Sequence, residues 1–140
     1  MASLIYKERQ QDLFKVGEGY YLAHCISRDC KMGAGIAVLF ENKFKMRERL
    51  LAQPRRLPDA ILDGKVYNLI TKEKYWHKPT LDDVVTALEV MRDDALERGI
   101  RKIAMPRIAS GLDRLDWNDV RAKVIEVFDQ TEIEIFVCVK

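Results

Sequence analysis

His24-Cys25-Ile26-Ser27-Arg28-Asp29-Cys30-Lys31-Met32-Gly33-Ala34-Gly35-Ile36-Ala37-Val38-Leu39-Phe40 is the stretch whose reading decides the fold. It passes from an apolar strand through a polar turn and two glycines into an apolar helix. The first N–H groups of a helix have no intrahelical partner, and a Gly-x-Gly turn ahead of them carries no bulk that would keep a phosphate away. This order of strand, bare turn and helix predicts an anionic, phosphate-bearing ligand at the turn.

The pattern on either side repeats the alternation. Tyr20 to Ile26 is a nearly continuous apolar run, as expected of a strand covered on both faces. An earlier strand is expected from Leu4 to Gln10, ending at Asp12-Leu13-Phe14. The helix that opens near Ile36 is expected to run to Ala52, where Pro54 and Pro58 bracket a loop. Asp63-Gly64 reads as a hairpin turn between strands at Ala60–Leu62 and Lys65–Thr71. Thr80 is a helix N-cap with Asp82 and Asp83 behind it. An apolar stripe through Leu81, Val84, Val85, Leu88, Met91, Ala95 and Leu96 then runs to Gly99. Arg101–Met105 is a further strand stopped by Pro106. Asp116 caps a last helix with the stripe Trp117, Val120, Val124, Val127 and Phe128, and Glu132–Val139 is the closing strand. Strands and helices in turn predict an α/β layered domain with a mixed sheet.

Composition narrows the class. The 140 residues suit one domain, long enough to bury roughly 68–70% of its unfolded surface without staples. A net charge of +2 does not by itself call for a polyanion partner. Between Lys43 and Arg56, however, Lys43, Lys45, Arg47, Arg49, Arg55 and Arg56 face a single acid, Glu48. That cluster reads as a solvated helix face or as a patch for nucleic acid or an acidic segment. Cys25, Cys30 and Cys138 are an odd count, which favours a reduced, cytoplasmic setting over a disulfide framework. No apolar run approaches the ~18–20 residues that span a bilayer, so no membrane partner is expected. His24, Cys25, Cys30 and His77 match no common zinc spacing, and no metal is expected.

A second bare loop, Met105-Pro106-Arg107-Ile108-Ala109-Ser110-Gly111-Leu112-Asp113, follows a buried strand and precedes a helix. Ligands of open α/β sheets bind beyond the carboxyl ends of strands, and two such loops could clamp a diphosphate between them. A dinucleotide fold of the Rossmann type is disfavoured, because Val38 stands where a third small residue should pack helix on strand. Lys72 leaves a strand end, where a partly dry cleft can turn a lysine into a nucleophile. Asp113 is a possible acid–base partner. His24 reads as a packing histidine and His77 as a loop residue.

Together these motifs resemble the macrodomain family, and most closely its terminal ADP-ribose protein glycohydrolase branch. The resemblance runs from about Asp12 to the C-terminus. It rests on Asp12-Leu13-Phe14, Leu22-Ala-His-Cys-Ile-Ser27, Met32-Gly-Ala-Gly-Ile-Ala-Val-Leu-Phe40, Leu69-Ile-Thr-Lys72, His77-Lys-Pro79, Met105-Pro-Arg-Ile108 and Gly111-Leu-Asp-Arg-Leu115. It implies a single macrodomain over 1–140, a three-layer α/β/α sandwich with a mixed, mostly parallel sheet. It also implies an ADP-ribosyl hydrolase that acts on acidic side chains without a cofactor and takes part in de-ADP-ribosylation and the DNA damage response.

By the same resemblance, Asp12 and the Leu13 backbone would read the adenine. Ser27 and the turn Met32, Gly33, Ala34, Gly35, Ile36 and Ala37 would hold the diphosphate and distal ribose. Pro106, Arg107, Ile108, Ala109, Ser110, Gly111 and Leu112 would form the opposing loop. Lys72 would attack the anomeric carbon of the distal ribose, and Asp113 would help resolve the adduct. The partner is ADP-ribose or an ADP-ribosylated protein, with ADP-ribosylated nucleic acid or O-acetyl-ADP-ribose as further substrates. The expected state is a monomer, cytoplasmic, or also nuclear in a eukaryote. The competing reading is a non-catalytic reader of ADP-ribose, which would need the loops but neither Lys72 nor Asp113.

The chain departs from the family at three points. Gln11 stands where a glycine is usual, Ala109-Ser110 replaces Gly-Cys, and Ala23-His24-Cys25-Ile26-Ser27 replaces an asparagine-rich segment used by other hydrolytic macrodomains. The last change disfavours their water-activating route and leaves the lysine route.

Overall fold

The computed structural model describes residues 5–140. Its strands are β1 (Ile5–Gln10), β2 (Tyr21–Ser27), β3 (Asp59–Asp63), β4 (Val66–Lys72), β5 (Lys102–Met105) and β6 (Glu134–Val139). Its helices are α1 (Ile36–Phe44), α2 (Arg47–Leu51), α3 (Leu81–Arg98) and α4 (Trp117–Phe128), with a 3-10 turn at Leu13–Lys15. Leu4, the expected start of the first strand, lies outside the described residues. The strands form one sheet in the order β1-β6-β5-β2-β4-β3. All neighbours run parallel except β3, which returns antiparallel to β4 through the Asp63-Gly64 turn.

Period-two alternation sorts the strand side chains into two cores. Ala23, Tyr67, Leu69, Ile103, Met105, Ile135 and Val137 pack with the apolar stripes of α3 and α4. Leu22, Ile26, Val66, Ile70, Ala104, Phe136 and Cys138 pack on the other face with Phe40, Met46 and Leu50. The result is a macrodomain-like α/β/α sandwich with a mixed, mostly parallel sheet, as the sequence leads one to expect. Helix ends also follow the local signals. Thr80 Oγ1 accepts the Asp83 N–H at 3.1 Å and Asp116 Oδ1 the Asn118 N–H at 2.8 Å. Gly99, with φ +74°, closes α3 in the left-handed region. The Tyr67 hydroxyl donates to Asp94 Oδ2 at 2.6 Å and ties α3 to β4.

The helix expected from Ile36 to Ala52 is two helices. Lys45 turns left-handed (φ +52°), and the Glu41 carboxylate accepts the N–H groups of Met46 and Arg47, each at 2.9 Å. Glu41 thereby caps α2 from inside α1, and the break swings Met46 into the core, where it is fully buried. Half of the nearby basic cluster is engaged within the fold, while Lys43, Lys45 and Arg56 are exposed. Arg47 Nε donates to the Cys30 carbonyl at 2.9 Å, and Arg49 pairs with Asp63 at 2.8 Å. Arg55 donates to the carbonyls of Leu50, Gln53 and Arg28. Arginine's rigid fork suits this work of holding loop backbone in place.

His24 is fully buried, stacked on Phe40 with ring centroids 3.9 Å apart, and 2.7 Å from Asn68 Oδ1 through Nε2. Asn68 Nδ2 donates to the Ile61 and Val66 carbonyls, so its oxygen faces the ring and accepts from a neutral Nε2–H tautomer. Burial lowers the His24 pKa to about 4, with the Asn68 contact acting in the other direction. In the unfolded chain the imidazole takes up its proton near 6.5, so between there and 4 the unfolded state binds more protons. The stabilisation is complete above pH 6.5 and is lost as pH falls toward 4, amounting to about 3 kcal/mol. Denaturant unfolding across that window should show this loss, and His24→Gln should flatten it. Equal slopes for the two proteins would exclude His24 as the source.

Candidate active site

A cavity of about 990 Å³ opens beyond the carboxyl ends of β2, β4 and β5. Its floor is the end of β2 (Cys25, Ile26, Ser27), and one wall is the turn from Lys31 to Ala37. The facing wall is the loop after β5, with Pro106 to Ala109 and Gly111 to Arg114. Lys72 enters from the last position of β4, and Tyr75, Trp76, His77 and Lys78 form a strap along the rim. Among the ligand residues expected from sequence, Ser27, Met32, Gly33, Ala34, Gly35, Ile36, Ala37, Pro106, Arg107, Ile108, Ala109, Gly111 and Leu112 line this one space together with Lys72 and Asp113.

Asp12, Leu13 and Ser110 do not line it. Leu13 is buried in the α1–α2 core. Asp12 is exposed and spends Oδ1 on the Phe14 N–H at 2.9 Å. Ser110 turns its hydroxyl back to the Ile108 carbonyl at 3.1 Å. Arg107, though on the wall, points its guanidinium to Glu8 at 2.8 Å. Tyr75, Trp76, Lys31 and Arg114 border the cavity without having stood out in the sequence. An adjacent Tyr-Trp pair inside a polar connection that ends at Pro79 was the available sign.

Lys72 and Asp113 meet. Lys72 Nζ lies 2.6 Å from Asp113 Oδ1, and both side chains are 14% exposed. A register irregularity aims the lysine: Ile26 pairs with Ile70, but Ser27 pairs with Lys72, so Thr71 is the extra residue. Because β2 lies between β5 and β4, the ion pair bridges over the end of β2. Cys25 lies beneath it. Burial, and the Asp113 carboxylate after it, push that thiol up to about 12, so it stays protonated and unreactive at neutral pH.

The glycine turn is held from below. Asp29 accepts the Ser27 hydroxyl, the Lys31 N–H at 3.4 Å and the Tyr75 N–H at 3.2 Å, which joins the turn to the strap. Burial works against its charge, yet the Ser27 hydroxyl and the two N–H groups keep its pKa below the ordinary carboxylate value. Cys30 (φ +56°) and Met32 (φ +46°) adopt left-handed backbone on one wall, and Ala109 (φ +59°) does so on the other. Such strain in non-glycine residues gathers where a loop is shaped for a ligand. Among the described residues, no three His, Cys, Asp or Glu side chains converge as a metal site would require.

No family model matches the chain. Known proteins do match. The human protein named ADP-ribose glycohydrolase OARD1 is 48% identical over 130 residues, covering 90% of this chain and 86% of that protein. The bovine protein of the same name is 47% identical over the same length. The macrodomain of Thermus aquaticus DarG superposes with a TM-score of 0.83 at 19% identity, over 96% of this chain and 98% of the other. Thermosipho africanus DarTG in complex with ADP-ribose gives a TM-score of 0.83 at 14% identity, over 97% of this chain and 42% of that one. The chain belongs to the macrodomain family.

Two departures from the family pattern now have a physical meaning. The segment Ala23–Ser27, where other hydrolytic macrodomains carry asparagines, is the inner strand β2, and His24 within it is committed to the core. Ala109 conserves volume but not backbone freedom, since its φ of +59° is one that glycine adopts without strain.

The glycines of the macrodomain turn are not equivalent. Gly35 precedes α1 with φ +62° and ψ −150°, a region open in practice only to glycine. A Cβ there would stand 3.1 Å from Leu112 Cδ1 on the opposite wall. Gly35→Ala is expected to lower stability by about 1–3 kcal/mol. In denaturant titration, adding Leu112→Ala should restore only a minor part, because the strain is in the backbone. Full recovery in the double variant would assign the effect to the Leu112 contact instead.

Proposed function

We propose that this hydrolase removes ADP-ribose from acidic side chains, with Lys72 as nucleophile and Asp113 as its proton partner. The observation that carries the reading is the 2.6 Å ion pair placed on the wall of the cavity that the two ligand loops enclose. Its relatives are named ADP-ribose glycohydrolases, and about nine-tenths of this chain aligns with them. In this reading the turn Met32–Ala37 takes the diphosphate and the distal ribose, and the loop Pro106–Leu112 closes over them. Asp12, through its remaining carboxylate oxygen, and the Leu13 backbone take the adenine beyond the cavity.

The chemistry follows from the pair. Lys72 gives a proton to Asp113, and its free amine attacks the anomeric carbon of the distal ribose. The Nζ–C1″ bond forms as the bond from C1″ to the acceptor oxygen breaks, and the acceptor leaves as a carboxylate. A carboxylate is a good leaving group, so attack by an amine is sufficient. Opening of the sugar ring gives an imine, and water adding to it, with Asp113 passing the proton, frees the sugar and regenerates Lys72. A module that only held ADP-ribose would have no use for an ammonium and a carboxylate facing the reacting end of the ligand. A nucleic-acid substrate had its sequence support in Lys43–Arg56, and three arginines of that cluster are engaged within the fold.

Borohydride added during turnover is expected to fix a sugar adduct on Lys72, located by peptide mass spectrometry. Lys72→Ala should bind ADP-ribose yet cleave ADP-ribosyl-glutamate at least about 100-fold more slowly. Asp113→Ala should slow turnover comparably. If Lys72→Ala cleaves at the parent rate, the nucleophile is another group.

A further inference from the structure

The rim of the cavity carries groups that the proposed chemistry does not use. Lys31 precedes the glycine turn, Lys74 precedes the strap and Lys78 ends it, and Arg114 follows Asp113. All four are exposed, and none makes an ion pair among the described residues. The acids on the same segments are already engaged. Asp29 holds the turn and the strap, Glu73 pairs with Arg28, and Asp113 pairs with Lys72. Lys74 lies close enough to Asp29 to add to the charge around it. Lys31, Lys78 and Arg114 line the mouth from three separate segments, and Lys74 stands just before the strap.

Apolar surface stands among these cations. Trp76 is 70% exposed, Leu112 70% and Tyr75 57%. A single exposed apolar residue needs no explanation, but three at one mouth mark a contact surface. The strap holds Trp76 outward. His77 Nδ1 accepts the Lys74 backbone N–H at 3.2 Å, the His77 backbone N–H donates to the Lys74 carbonyl at 3.0 Å, and the His77 ring stands edge to face with Trp76.

Resting on the hydrolase reading above, we infer that this rim docks an acidic polypeptide segment around the modified side chain, with Trp76 as its apolar anchor. Charge complementarity selects the partner. A set of mostly lysine point charges attracts neighbouring carboxylates without demanding the bidentate geometry of arginine. Trp is a residue on which protein contacts concentrate their energy. Tyr75 and Trp76 could also stack on bases, but in the hydrolase reading the acceptor is itself an acidic side chain, and a carboxylate-rich segment around it is what cations at this mouth attract.

The test uses the full chain and three substrates. They are ADP-ribosyl-glutamate as a single residue, a peptide carrying it between Asp and Glu residues, and the same peptide with Gln and Ser flanks. At low salt, kcat/KM for the acidic peptide should exceed that for the neutral one by about tenfold or more, and the gap should close as salt is added. Lys74→Glu with Lys78→Glu should abolish the preference. Trp76→Ala should lower turnover of both peptides by a larger factor than turnover of the single residue; an equal loss on all three substrates overturns Trp76 as the anchor. Equal rates on the two peptides, or a preference indifferent to salt, overturn the docking proposal. Faster, Trp76-dependent turnover of an ADP-ribosylated single-stranded oligonucleotide overturns it in favour of a nucleic acid. Failure of the parent protein to cleave even the single residue would instead refute the hydrolase reading beneath it.

Discussion

The pairing of β2 with β4 through the middle of the sheet is the constraint on which the rest depends. Both strands are covered by helices on each face, so their side chains are committed to two dry cores. Polar chemistry on these strands then has one place to go, beyond their carboxyl ends. The register irregularity at Ile26–Ser27 against Ile70–Lys72 comes at that boundary. It takes up Thr71 as an extra residue and delivers Lys72 to the cavity, where a regular ladder would have continued the alternation. Asp113 arrives from the far side of β2, and the ion pair closes across the strand end.

Loops this short on apolar residues need other restraints, and the molecule supplies them with polar side chains directed at backbone. Arg47 holds the carbonyl of Cys30 where the chain turns left-handed. Arg28 and Arg55 each donate to the other's carbonyl at 2.9 Å, which fixes the start of the glycine turn to the loop before β3. Asp29 gathers two backbone N–H groups and the Ser27 hydroxyl. These restraints counter the backbone strain at Cys30 and Met32, and they leave the first turn of α1 without a side-chain cap. An uncapped helix start facing a cavity is suited to receive an anion, because its N–H groups have no competing partner.

The architecture was legible because it is written in periodicity and punctuation. The apolar run of β2, the Asp63-Gly64 turn, the Thr80 cap and Gly99 each act within a few residues of themselves. What sequence reading lost depends on contacts between segments. Glu41 is an ordinary helical residue until its carboxylate turns back to cap α2, and so one helix was expected where there are two. Within the basic cluster, the ties of Arg47, Arg49 and Arg55 were hidden because their acceptors are backbone carbonyls and Asp63, invisible to a charge pattern. Lys72 and Asp113 were each visible as candidates, at a strand end and in a small-residue loop, but only the family resemblance joined them; their spacing of 41 residues carries no local signal. Tyr75 and Trp76 sit in a connection with no period at all, where only a folded cavity gives them a side.

The pair proposed to carry the reaction also restrains its own lysine. Lys72 Nζ lies 2.6 Å from Asp113 Oδ1 with both side chains largely buried, and separating such an ion pair costs on the order of a few kcal/mol. On the floor Cys25 remains a neutral thiol, and His24, buried in the core beneath, is committed to Phe40 and Asn68. In the proposed reaction, proton transfer within the pair is therefore the route to a free amine, and it succeeds only if something replaces the lost attraction. Binding energy from parts of the substrate remote from the reacting carbon can do so. A diphosphate on the turn from Met32 to Ala37 would supply it where the backbone has already been strained into shape. A molecule with a suitable anomeric carbon but no diphosphate would leave the ion pair intact, so selectivity and activation of Lys72 become consequences of the same loop.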